Sequence, residues 1–209
     1  MKFCPDCGSP NEQRIPAGDD RERAVCTACG TVHYVNPRAV VGCVVEHEGS
    51  LLLCRRAIEP AHGKWTMPAG FLEIGESLVE GARRETREEA CAEVEVLAPF
   101  AQLDLPHIGQ HYALYRARMT RPEFAAGIES LEVRLFGLDE IPWDELAFPV
   151  VHFALRFYLD DLRADRQQLH LGVLRWLGTG SRYDARNYEV DEHLPVPLHS
   201  PPHGSASEE

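Results

Sequence analysis

The stretch GFLEIGESLVEGARRETREEA, residues 70–90, decides the reading of this 209-residue chain. Its opening, GFLEIGE, is poor helix sequence, punctuated by Gly70 and Gly75. Ser77 followed three residues later by Glu80 is a capping box, in which each side chain satisfies the other's backbone N–H. The spacing predicts a helix from about Leu78 to about Ala90, with Leu78, Ala82 and Thr86 on one side. Glu85, Glu88 and Glu89 stand at i, i+3 and i+4, so three carboxylates converge over one turn. Like charges at that spacing repel by roughly 0.2–0.5 kcal/mol per pair, and Arg84 and Arg87 relieve only part of this. Taken alone, the segment reads as a solvated face with mixed ion pairs.

The context changes that reading. GKWTMPAGFLEIGE, which precedes the helix, has the composition of a binding loop. Magnesium or manganese takes hard oxygen ligands and keeps waters for phosphate oxygens. Three carboxylates facing a glycine-rich loop supply such a site, and the ion would neutralise phosphate charge and activate a water.

In register, Gly70, Glu76, Arg84, Glu85, Glu88 and Glu89 resemble the Nudix box: Gly, five residues, Glu, seven residues, Arg-Glu, an aliphatic, any residue, Glu-Glu, any residue, Gly, an aliphatic. Six fixed positions match over 20 residues. Three depart: Thr86 and Ala92 stand where aliphatics are usual, and Cys91 replaces a glycine that would take a left-handed conformation easily at the helix end. The resemblance implies an α/β/α sandwich with a mixed sheet and hydrolysis of a nucleoside diphosphate linked to another moiety, releasing AMP. It implies magnesium ligation by Glu85, Glu88 and Glu89, with a Gly70 carbonyl in some members, and a Glu76–Arg84 pair holding the loop to the helix. It assigns the general base to a box glutamate (Glu88 or Glu89) or to a later one, Glu129 or Glu132. A homodimer is common in the family.

Seven cysteines fall into two groups. Cys4-x-x-Cys7 and Cys26-x-x-Cys29 each precede a glycine that lets the backbone curl under the sulfurs. Two such knuckles make a Cys4 zinc ribbon, a closed and therefore structural site. A short segment without a core depends on that metal to fold. Cys43, Cys54 and Cys91 are scattered among apolar residues and read as buried thiols. A zinc ribbon fused before such a domain resembles the subgroup acting on FAD, ADP-ribose or NADH. The Ser-Gln-Pro-Trp-Pro-Phe-Pro run of the NADH-specific members is missing, with DEIPWDELAFPVV a faint echo. This favours FAD or ADP-ribose, then NADH.

The remaining expectations concern organisation and partners. Residues 1–33 form the ribbon, 34–165 the catalytic domain, 166–190 a C-terminal extension and 191–209 a Pro, His and Ser-rich disordered tail. AVVGCVVEHEG and LLLCRR make a hairpin, three further strands follow the glutamate helix, a second helix starts near Pro149, and LHLGVLRW is a late strand. Arg55 and Arg56 run from their strand into the loop, where one meets a substrate phosphate or a surface partner. Trp65 stacks on a base or packs the loop, and His107 and His111 are structural or surface residues. The net charge of −12 argues against nucleic acid, as do five acids against four bases in residues 1–33. No apolar run approaches the roughly 18–20 residues of a membrane span, and MKFCPDCGSP lacks a signal-peptide core, so a cytoplasmic location is expected. A second reading is a nucleotide-sensing or nucleic-acid-binding regulator that uses the fold without catalysis. The intact glutamates argue against it.

Overall fold

The structure is a computed structural model that describes residues 1–198. The chain divides at Pro37: Met1–Pro37 is one unit, and the residues from Arg38 onward are another. The first unit thus extends four residues beyond the expected boundary at 33. It carries a three-stranded antiparallel sheet of β1 (Asn11–Arg14), β2 (Arg23–Cys26) and β3 (Val32–His33). Gly8 and Gly30, each following a cysteine pair, both lie at positive φ, as the knuckle turns require.

The second unit is built on a mixed nine-stranded sheet. The predicted hairpin is β4 (Arg38–His47) and β5 (Ser50–Arg56), joined through Glu48 and Gly49, both at positive φ. The two strands pair only near the turn. They then part, and two short strands enter the gap: β6 (Trp65–Thr66) pairs with β5, and β7 (Ala69–Phe71) pairs with β4. The glutamate helix α1 spans Leu78–Ala90, starting at the Ser77–Glu80 capping box and ending on Cys91 in the left-handed region (φ 48°, ψ 28°). The cysteine therefore adopts the conformation for which glycine is better suited. Thr86 is fully buried and turns its hydroxyl back to the Ala82 carbonyl (2.9 Å), which removes the polar cost of standing at an aliphatic position.

Strands β8 (Val94–Leu105), β9 (Gln110–Met119), β10 (Ser130–Gly137), β11 (Gln168–Trp176) and β12 (Tyr188–Pro197) complete the order β10-β5-β4-β9-β8-β11-β12. The β4/β9 and β8/β11 pairs are parallel. Successive strand residues face opposite sides, so each face has its own core. Val41, Cys43, Val45, Leu52 and Cys54 pack with Ala82 and Ala90 of α1. Val44, Leu51, Leu53, Phe100 and Leu103 pack with Val151, Ala154 and Leu155 of α2 (Pro149–Arg163) on the other. This is the expected helix–sheet–helix layering. Of the three scattered cysteines, Cys43 and Cys54 are buried and Cys91 is exposed.

The expectation of a disordered tail from residue 191 fails through Pro197. Those residues belong to β12, which pairs antiparallel with β11. Pro195 and Pro197 are tolerated because β12 is an edge strand, where half the backbone N–H groups have no ladder partner to lose. Residues 199–209 lie outside the described residues. A buried polar cluster ties this hairpin to the domain. Asp161 of α2 pairs with Arg116 of β9 and His170 of β11, and His170 Nδ1 meets His193 Nε2 at 3.0 Å. The Phe157 ring stacks on both imidazoles, at 4.7 and 4.5 Å between centroids.

Candidate active site

The splaying of β4 and β5 lays the Gly70 loop across α1. A Cβ on Gly70 would stand 2.5 Å from the Glu85 carboxylate carbon, so only glycine permits this approach. The neighbouring Ala69 N–H donates to Glu89 Oε2 at 3.2 Å. Loop and helix are then locked by Arg84. Its Nε and Nη2 grip the two Glu76 oxygens at 2.9 and 2.6 Å, Nη2 also reaches the Phe71 carbonyl at 3.0 Å, and Nη1 reaches Glu85 at 2.7 Å and Glu88 at 3.1 Å. A planar guanidinium suits this forked task better than an ammonium. Arg84 bonding, with the Glu73 N–H, holds the Glu76 carboxyl down at about 2. The same bonds hold Arg84 more firmly protonated than usual.

The box carboxylates differ in environment. Glu85 and Glu89 are buried, whereas Glu88 is exposed. Burial raises the Glu85 carboxyl against the opposing pull of Arg84. Burial also pushes Glu89 up to about 8, opposed by the Ala69 N–H and reinforced by Glu85. Two desolvated carboxylates side by side are costly in the absence of a compensating cation.

These groups open into a cavity of about 730 Å³. One part of its wall carries Gly70, Glu85, Glu88, Glu89 and Glu129. Another carries Phe148, Arg182, Tyr183 and Tyr188, with His107 and Tyr112 nearby in the lining. Arg38 and Arg56 also line it, laid over the Phe71 and Phe148 rings at 4.7 and 4.9 Å.

The structure thus brings together Arg56, Gly70, Arg84, the three box glutamates and Glu129, and leaves out three expected residues. Arg55 points away: its Nε donates to the Gly63 carbonyl and its Nη1 lies 3.7 Å from Glu132. Adjacent strand residues cannot share a face, so only one of the two arginines can line the cavity. Glu132, in β10 opposite Arg55, is outside the lining for the same reason. Trp65 is buried and meets Phe136 edge-to-face at 4.8 Å, so it packs the core and does not offer a face to a base. His107 also departs from its expected role: it lines the cavity and bonds the Tyr188 hydroxyl at 2.9 Å. His111 pairs with Asp104 at 2.6 Å, as a surface residue would. Sequence reasoning missed Arg38, Tyr112, Phe148, Arg182, Tyr183 and Tyr188. The available signal was GTGSRYD, a second Gly/Ser-rich loop carrying an aromatic.

Both metal assignments can be weighed against donor geometry. The four sulfurs of Cys4, Cys7, Cys26 and Cys29 lie within 4.8 Å of one another, with Cys7–Cys26 at 3.4 Å, which fits a tetrahedral thiolate site. Glu85 and Glu89 line one cavity beside a glycine cradle and fit a hard cation. Glu88 must turn in from Arg84 to join them.

Comparisons with known proteins agree with this geometry. Residues 2–35 match the family model described as Nudix N-terminal, and residues 35–158 match the NUDIX domain model. A crystal structure of a NUDIX hydrolase from Nitrosomonas europaea is 51% identical and superposes with a TM-score of 0.81, covering 83% of this chain and 98% of that one. The NAD-capped RNA hydrolase NudC of Stutzerimonas stutzeri is 31% identical over 76% of this chain and 56% of its own length. The mitochondrial NAD(P)H pyrophosphatase NUDT13 of Homo sapiens is 30% identical over 70% of this chain and 40% of its own. The chain therefore spans about half the length of these two curated relatives. Among the described residues, no helix is long and apolar enough to cross a membrane.

Proposed function

This chain belongs to the NUDIX family, and from that premise we propose that it hydrolyses the pyrophosphate bond of a nucleoside diphosphate linked to a second moiety, releasing AMP. The observation that carries the reading is the convergence of Gly70, Glu85, Glu88, Glu89 and Glu129 on one cavity that also holds Arg38, Arg56 and Arg182, which form no ion pair among the described residues. The proposed cofactors are magnesium or manganese at the glutamates and structural zinc at the four cysteines.

Glu85, Glu89 and the Gly70 carbonyl are suited to hold the divalent cation, with Glu88 as the mobile third carboxylate. When bound, that cation supplies charge neutralisation for the pyrophosphate and a more acidic water. Arg84 fixes Glu85 and the loop, and so keeps the carboxylates in register with Gly70. Among the described residues the Arg56 guanidinium donates only through its Nε, to the Pro60 carbonyl, which leaves its outer nitrogens for a phosphate oxygen. Among the described residues the Glu129 side chain makes no hydrogen bond or ion pair. Glu73 also lines the cavity without such a partner, but Glu129 is the one close enough to Glu85 and Glu89 to act on their carboxyls, and it is suited to orient the water and accept its proton.

For the substrate, the curated relatives support NADH-type dinucleotides. The missing Ser-Gln-Pro-Trp-Pro-Phe-Pro run favours ADP-ribose and FAD as competitors. A panel of NADH, ADP-ribose, FAD and diadenosine polyphosphates with magnesium decides among them. Release of AMP from at least one is expected, and none from any overturns the proposal.

A further inference from the structure

The NUDIX domain match ends at residue 158, yet the cavity does not. Arg182 and Tyr183, from the loop of the β11–β12 hairpin, and Tyr188, the first residue of β12, complete its wall. The loop is built to hold these residues. Asn187 Nδ2 donates to the Ser181 carbonyl at 2.9 Å, and the Tyr188 hydroxyl reaches the Arg182 carbonyl at 3.0 Å as well as His107. The Arg182 guanidinium lies over the Trp176 ring at 4.6 Å. Tyr183 faces Phe148, which caps the start of α2, with ring centroids 6.2 Å apart and planes tilted by 58°. The same two rings also line a second cavity of about 650 Å³, so they form the partition between the two.

Resting on the proposed hydrolase reading, we infer that Tyr183 and Phe148 form the slot for the planar base of the nucleotide, and that the hairpin following the NUDIX domain is the element that selects it. The pair offers two π-faces and a single hydroxyl, which suits a flat heteroaromatic ring and offers little to a sugar or a phosphate. The Arg56 guanidinium already lies over the Phe148 ring at 4.9 Å. Sandwiching a base between two rings takes roughly 7 Å, twice an ordinary contact distance. The observed 6.2 Å is therefore a closed slot. Tyr183 is half-exposed on its loop, whereas Phe148 is fixed at the helix start, so Tyr183 is the ring that swings aside and closes over the base. Arg56, laid over the Phe148 ring and lining the same cavity as the box carboxylates, is then placed to meet a phosphate of the bound nucleotide.

The test compares Tyr183→Ala and Tyr183→Phe with the native chain in two assays: equilibrium binding of AMP, and steady-state hydrolysis of NADH with magnesium. Tyr183→Ala is expected to raise the AMP Kd and the NADH KM by on the order of 5- to 100-fold with little change in kcat, while Tyr183→Phe stays close to native. Unchanged Kd and KM in Tyr183→Ala overturn the inference, as does a Tyr183→Phe variant as weak as Tyr183→Ala, which would assign the effect to the hydroxyl. A native chain that hydrolyses no nucleotide strikes instead at the hydrolase reading on which the inference rests.

Discussion

Replacing Gly70 by alanine separates the fold from the chemistry. The added Cβ would stand 2.5 Å from both the Cδ and the Oε2 of Glu85, whereas ordinary contact begins near 3.4 Å. The carboxylate must therefore retreat by about 0.9 Å. That costs the fold little beyond the Arg84–Glu85 hydrogen bond, because the obstructing atoms are the end of a side chain rather than backbone, and Gly70 does not have the positive φ that an alanine would resist. A displacement of about 1 Å at a reacting site costs on the order of 100-fold in rate. Gly70→Ala should therefore keep its thermal midpoint within a few degrees of native while kcat for AMP release falls about 100-fold and the magnesium requirement rises. The assays are differential scanning calorimetry and a magnesium titration of hydrolysis. Gly127 supplies the contrast, since a Cβ there would run into the backbone carbonyl of Glu88, which cannot step aside; Gly127→Ala should lose stability as well as rate. A Gly70→Ala variant with native kcat would refute the reasoning, for it would mean that Glu85 need not sit where the loop holds it.

Further outcomes follow from the same contacts. Trp65→Ala should destabilise the domain by roughly 3–5 kcal/mol, as a truncated core aromatic does, whereas Arg55→Ala should cost no more than about 1 kcal/mol and leave KM unchanged, because its partner Glu132 is half-exposed; urea denaturation and KM measurements check both. Burial holds the His170 and His193 imidazoles below their ordinary value near 6.5. The folded chain then binds fewer protons than the unfolded one below that pH, so this contribution is complete above about 6.5 and is lost as pH falls through that value. The raised Glu89 carboxyl acts in the opposite sense over the same range, so the histidine contribution is read as a difference. Between pH 7.5 and 5.5 the thermal midpoint of the native chain should fall relative to that of His193→Gln, and parallel pH profiles would contradict the assignment. Cys26→Ser should abolish retention of about one zinc per chain, measured by elemental analysis, and unfold the first unit, which cannot build a core of its own.

Much of this arrangement could be read from local pattern, and the failures share a physical cause. The capping box, the Gly70–Glu85 register and the paired cysteines are short-range features, in which chemistry and spacing coincide. Trp65, Arg55 and Glu132 stayed between two alternatives because their fate depends on strand pairing: β5 turns Arg55 toward Glu132 and Arg56 toward the cavity, and no local pattern says which. The β11–β12 hairpin was hidden by Pro195 and Pro197, which depress strand propensity everywhere except at an edge. Tyr183 and Arg182 were then invisible as site residues, since they reach the cavity only because that hairpin joins the sheet. Buried Asp161 and His170 and the more exposed His193 come from a helix and two strands and converge only in the folded chain.

The central claim is that carboxylates gathered by α1 hydrolyse a pyrophosphate bond with a divalent cation. Its most direct measurement is AMP release from NADH, ADP-ribose and FAD by the native chain and by Glu88→Gln and Glu89→Gln, each with and without magnesium. The account predicts release by the native chain only with the metal, and its loss in both variants. Release without metal, or native rates in both variants, would contradict it.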